Sequence, residues 1–170
     1  MTTLQDVWAM LQVVKDPQAR AAIGLTFFAG LVPSEARGAL WENFDGMSLK
    51  ITQSVWRTHT GQTKTEAREA PVPVIAPLRA ILTELRAVDG NPLTGLILRG
   101  KRGRPLNLDN LSQRVIKPAL DAAGIAWHSF TRPHWRRTMD LRRRGCCVIQ
   151  RWRRQTAITF RQSRLKRSLQ

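Results

Sequence analysis

The run from Gln18 to Gly30 limits the fold more than any other part of the chain. Ala21, Ala22, Ile23, Leu25, Phe27 and Phe28 make it apolar most of the way round. A helix without a polar face has to be surrounded, so this one belongs at the centre of a core. Asp16-Pro17 suits its start, because proline in the first turn has no N–H to leave orphaned. Gly30 suits its end. Upstream, Leu4, Val7, Trp8, Leu11 and Val14 fall at helical spacing, which predicts an amphipathic helix over Thr3 to Val14. At 170 residues the chain has room for one domain with a real core.

The segment Gly30-Leu31-Val32-Pro33-Ser34-Glu35 continues through Ala36-Arg37-Gly38 to Trp41 and Asp45. It reads as a turn, a short second helix opened by Pro33 and Ser34, and an acidic step toward a strand. Glu35 sits in the first turn, where the helix dipole favours a negative charge. After Asp45-Gly46 the period changes to two. Leu49, Ile51 and Val55 alternate with Lys50, Thr52 and Ser54, as in a half-buried strand. His59 to Thr63 reads as a loop. Lys64 to Val74 reads as a second strand, short or at an edge because Pro71 and Pro73 cannot donate to a ladder.

Further on, Pro77 opens a helix with Leu78, Ile81, Leu82 and Leu85 on one face. Asp89 to Pro92 is a loop, Leu96 to Leu98 a short strand, and Arg99 to Arg104 a flexible basic loop. Asn107 caps a helix through Leu111, Val115 and Leu120. Pro118 should kink or interrupt that helix, and Gly124 should close it. The expected fold class is α+β, mainly α-helical with a small antiparallel β-sheet.

Charge divides the chain at residue 130. Thr131 to Gln170 holds twelve Arg and one Lys against one Asp, a net of +12 out of the chain's +16. The first 130 residues keep +4. A basic tail on a nearly balanced body suits a polyanion, most often nucleic acid. The plain alternative is a solvated tail without a specific partner. The expected organisation is a core over 1–130 and a basic segment of the same domain over 131–170. Two helices with few apolar positions, Arg136 to Arg144 and Val148 to Arg154, are expected within that segment. No apolar run reaches the roughly 18 residues of a membrane helix, so no membrane partner is expected. An early acidic residue and broken apolar runs argue against a signal peptide. Cys146 and Cys147 are adjacent and lack a second pair, which suits neither a metal site nor a disulfide framework. A cytoplasmic, reducing location and no cofactor are the matching expectations.

Three segments resemble the catalytic domain of the tyrosine recombinase (phage integrase) family. The first is Gly30-Leu31-Val32-Pro33-Ser34-Glu35, where the family has Gly-Leu-Arg-x-Ser-Glu and uses the arginine to bind the scissile phosphate. The second is Lys64-Thr65-Glu66-Ala67-Arg68, followed by Ala70-Pro71-Val72-Pro73. It resembles the turn whose lysine serves the family as general acid, although a lysine in such a turn is most often only solvated. The third is Pro133-His134-Trp135-Arg136-Arg137-Thr138, similar to the family's His-x-x-Arg.

The resemblance implies Lys64, His134 and Arg137 as catalytic positions. The spacing of His134 and Arg137 fits. Alignment on Arg-Arg-Thr would instead select Arg136 and leave Pro133 at the histidine. Alignment on Trp127-His128-Ser129-Phe130 would put Thr131 there. A basic segment making phosphate contacts is the bland reading of the same residues. Gln150 to Thr159 is similar to the helix and loop that precede the family's nucleophile, with Gln155 near the second histidine and Ser163 near the tyrosine. The chain contains no tyrosine at all, and Val32 stands where the first arginine belongs. The resemblance therefore implies a DNA-binding, recombinase-like domain unable to cleave DNA. Its expected partner is double-stranded DNA, through Arg99, Lys101, Arg102, Arg104, Arg136, Arg153 and Arg154. The alternative is a non-catalytic module that pairs with an intact recombinase subunit.

Overall fold

The structure, a computed structural model, describes residues 3–56, 59–62, 71–127 and 129–130, with backbone alone for residues 4, 56, 59–62 and 101. All fall within one compact unit, Met1–Pro133. The described part is mainly helical with small antiparallel strand pairs, an α+β arrangement.

Helix α1 (Leu4–Val13) begins at a capping box, with Thr3 Oγ1 accepting from Asp6 N and Asp6 Oδ2 accepting from Thr3 N. Val7, Leu11 and Val14 are buried as the spacing predicts. Trp8 lies at the rim of that face, 39% exposed, with its ring 5.7 Å from that of Phe28. Helix α2 (Pro17–Phe27) is the central element. Asp16 Oδ1 caps it at Ala19 N, and Ala21, Ala22, Ile23 and Leu25 have no exposure at all. Gly30 takes φ 64°, letting Leu31 N reach back to Leu25 O and end the helix. Helix α4 (Ala76–Val88) packs on α2 through Leu78, Ile81, Leu82 and Leu85. Each such side chain contributes about 1.5–3 kcal/mol on burial.

Between them lie helix α3 (Pro33–Gly38), a 3-10 turn at Trp41–Asn43, and four short strands. The strands differ from expectation. The segment 49–55 is not continuous: β1 (Ser48–Leu49) pairs with β4 (Val72–Pro73), and β2 (Gln53–Trp56) pairs with β3 (His59–Gln62). The break has a local cause. Lys50 N donates to Asn43 O, and Asn43 Nδ2 donates to Thr52 Oγ1, so residues 50–52 bond to the 3-10 turn instead of a strand. The alternation of burial survives, with Leu49, Ile51 and Val55 all inside. Residues 59–62, expected as a loop, form β3, facing β2 across a two-residue connection. Of the expected strand 64–74, residues 63–70 lie outside the described residues, and 72–73 form β4. Leu96 to Leu98 makes only an isolated bridge, Leu40 to Leu96, with Ile97 N donating to Ala39 O.

The last helical stretch comprises α5 (Leu108–Leu111), a π-helical turn (Ser112–Ile116) and α6 (Lys117–Ala122). Asn107 Oδ1 caps it at Asn110 N, as expected. The helix is interrupted ahead of Pro118, as expected, by the wider π-helical turn. The proline's missing N–H and its ring disrupt the ladder one turn back, and Lys117 N bonds to Ser112 O five residues away. Gly124, at φ 68°, closes the stretch with Ile125 N on Leu120 O. Beyond it Trp127 Nε1 donates to Ser112 Oγ at 2.6 Å. Phe130 is buried edge-on against the Trp127 ring.

Candidate nucleic-acid interface

Helix α3 holds the region together. Its start is fixed by Glu35, a buried carboxylate whose Oε2 accepts from Val32 N at 3.1 Å. This is half of a capping box, since the valine has no side-chain oxygen to return the bond. Position 32, where the resemblance implies a phosphate-binding arginine, thus carries a half-buried isopropyl group at the helix start.

Two residues of α3 that the sequence left without a role bring neighbouring segments onto it. Arg37 Nε donates to Leu106 O at 2.9 Å, tying the helix to the exit of the basic loop. Gly38 lies against β2: a Cβ there would sit 2.6 Å from Gln53 O, and Gln53 Nε2 donates to Gly38 O. An isolated glycine inside a helical pattern was the available signal for this close approach.

The basic loop 99–104 is a hydrogen-bonded turn. Leu106 N donates to Leu98 O, Gly100 N donates to Arg104 O, and Arg99 bridges Pro105. The fully buried Ile97 and Leu98 anchor its base. At its tip Arg102 (φ 60°) and Gly103 (φ 70°) both take left-handed backbone. The four expected cations differ. Arg102 and Arg104 are exposed, and neither belongs to an ion pair among the described residues. Arg99 Nε is 3.2 Å from Asp89 Oδ2, and its Nη2 donates to Asp89 O, so its charge is matched on the protein. Lys101 is described by backbone alone. Arg114 and Lys117 are also exposed, three residues apart on the following helical stretch. From Lys101 to Lys117 there are five cations and one carboxylate, Asp109.

Lys64 lies outside the described residues, two positions past the end of β3. His134, Arg136, Arg137, Arg153 and Arg154 lie outside them too, as do the alternative position Thr131 and the two helices expected in the tail. Among the described residues no group of three or more His, Cys, Asp or Glu comes together to hold a metal, and no helix is long and apolar enough to cross a membrane. No family model, curated protein or solved structure matches the chain.

Proposed function

We propose that this chain is a tyrosine-recombinase-like domain that binds duplex DNA through phosphate contacts and does not cleave it. One observation carries the reading: a single short helix, α3, holds the Val32 turn, the exit of the basic turn at Leu106 and the β2–β3 pair together. The first is the segment where the resemblance implies the phosphate-binding arginine, the second closes the basic loop expected to contact DNA, and the third ends two positions before Lys64. The exposed, unneutralised Arg102 and Arg104 support phosphate contact. Arg99 contributes less, because its charge is already met by Asp89. The lack of any tyrosine, together with valine at position 32, supports loss of cleavage. Lys64, His134 and Arg137 then keep family positions without a nucleophile to serve.

A salt titration of duplex binding tests this. The full chain should bind with affinity falling steeply as salt rises, because each phosphate contact adds roughly 0.9 to the log–log slope. Arg102→Gln with Arg104→Gln should lower that slope by about 2. A nicked suicide duplex should trap no covalent adduct. Salt-independent binding, or no binding, would refute the DNA reading. A trapped adduct would refute the inactive one.

A further inference from the structure

An open depression of about 460 Å³ lies where α4 meets the turn after the 3-10 segment. Its size is within the about 300–1,000 Å³ usual for small-molecule sites. Arg79 and Arg86 line it with Thr83 between them, and Phe44, Asn91 and Leu93 form further parts of the wall. The two arginines are seven residues apart on one helix, so their backbones are about 10 Å apart along its axis.

Neither arginine has a carboxylate partner among the described residues. Arg79 Nη1 meets only Met47 Sδ, at 3.1 Å, and a thioether is a weak acceptor. Arg86 is braced: Nε donates to Pro92 O at 2.9 Å, and the guanidinium carbon lies 5.6 Å over the Trp41 ring. Its two Nη groups keep their donors. Asp45 lines the depression too, and its carboxylate already accepts from Met47 N, Ser48 N and Ser48 Oγ. The depression therefore offers two cations with spare donors beside a half-buried phenyl ring and the 74% exposed Leu93.

We propose that this depression takes one unpaired nucleotide, its base against Phe44 and its phosphate on Arg79 and Arg86. A phosphate uses the planar forks of the arginines, and a flat base uses the ring. An acidic peptide would satisfy the arginines and leave the apolar wall uncovered. The inference does not rest on the duplex reading, since it uses none of the residues of the basic turn.

The test is photocrosslinking of the full chain to a six-nucleotide single strand carrying 5-iodouracil, with the attachment site mapped by mass spectrometry. Attachment is expected at Phe44. Arg79→Gln with Arg86→Gln should lower its yield by at least about tenfold, because both charge-assisted contacts are lost. Because Arg86 also braces Trp41, the exposed Thr83→Glu serves as a second variant: it places a negative charge in the depression and should lower the yield without touching the core. Competition by uridine monophosphate, nucleotide for nucleotide, assigns a free nucleotide; competition by the strand alone assigns an unpaired strand. No attachment at Phe44, an unchanged yield in both sets of variants, or equal competition by hexaglutamate overturns the proposal.

Discussion

Among the described residues, Asn91 and Arg102 are the non-glycines with positive φ, and arginine tolerates that region less readily than asparagine. Arg102 holds φ 60°, a region that costs a non-glycine residue about 1–2 kcal/mol, while presenting its charge at the tip of the basic turn. Strain kept at an exposed cation fits a residue retained for its charge. Arg102→Gly should therefore stabilise the fold by up to about 1 kcal/mol in a urea melt, because glycine removes the steric cost and returns only part of it as chain entropy. The same variant should weaken duplex binding and lower its salt slope by about 1. A variant that loses stability, or binds DNA as before, would contradict this account. Asp45 is a second informative residue. Hydrogen bonds from Ser48 and Met47 hold its carboxyl below the ordinary carboxylate range. A depressed carboxylate stabilises the fold at pH above its unfolded value and loses that contribution as pH falls through the folded value. Asp45→Asn should thus flatten the acid limb of the stability curve below about pH 4 and change little in its slope near neutrality. An unchanged acid limb in thermal melts across pH 2–7 would show that the turn does not depend on the charge.

Among the elements, α3 does most with least sequence. Six residues join three segments, and the contact with β2 allows no side chain at position 38. Gly38→Ala drives a methyl group into the backbone at Gln53 and Ser54, and overpacking of that kind costs about 1–3 kcal/mol. Gly24→Ala makes the contrast. Its methyl would meet the end of the flexible Leu78 side chain at 3.0 Å, and helix propensity gains about 1 kcal/mol in return. Chemical melts should separate the two, Gly38→Ala clearly destabilised and Gly24→Ala near neutral. Equal effects would mean that α3 and β2 can part without cost. The π-helical turn shows the same dependence on context. A proline in the interior of a helix predicts a kink or an interruption, and here the interruption takes the form of a π-helical turn between α5 and α6.

At the scale of the molecule, the described residues share one buried cluster. It runs from Val7 on α1 to Phe130, which packs inside with Trp127 hydrogen-bonded to Ser112. A chain ending at Pro133 should then unfold in one cooperative thermal transition, with a midpoint within a few degrees of the full chain's. A chain ending at Gly124 lacks Trp127 and Phe130, and removal of a buried aromatic costs about 3–5 kcal/mol. It should melt far lower or not fold. Equal melting of the two shorter chains would show that Phe130 is not part of the core. Of the +12 carried by residues 131–170, all but the charge of Arg132 is removed in the same experiment, and the chain ending at Pro133 should lose most of the salt-dependent binding to a duplex while keeping its fold.

The helices were legible because their signals are local. Asp16-Pro17, Gly30, Asn107 and Gly124 act through hydrogen bonds within a few residues, and the apolar spacing of α1 and α4 fixes which side is buried. The mainly helical α+β class followed from the same patterns. The strands were not legible in detail. Alternation at Leu49, Ile51 and Val55 determines a face, and partners come from elsewhere: Asn43 claims residues 50–52, and β3 forms where loop residues were expected. The candidate site divides in the same way. The sequence by itself determined that position 32 carries no guanidinium, that tyrosine is absent and that positive charge gathers after residue 130. Only the tertiary structure decided that Arg99 is neutralised by Asp89, that Arg37 and Gly38 bind α3 to its neighbours, and that Arg79 and Arg86 share a depression beside Phe44. Each of those depends on groups far apart in the chain, whose pairing is set by how the helices pack and leaves no pattern in the local sequence.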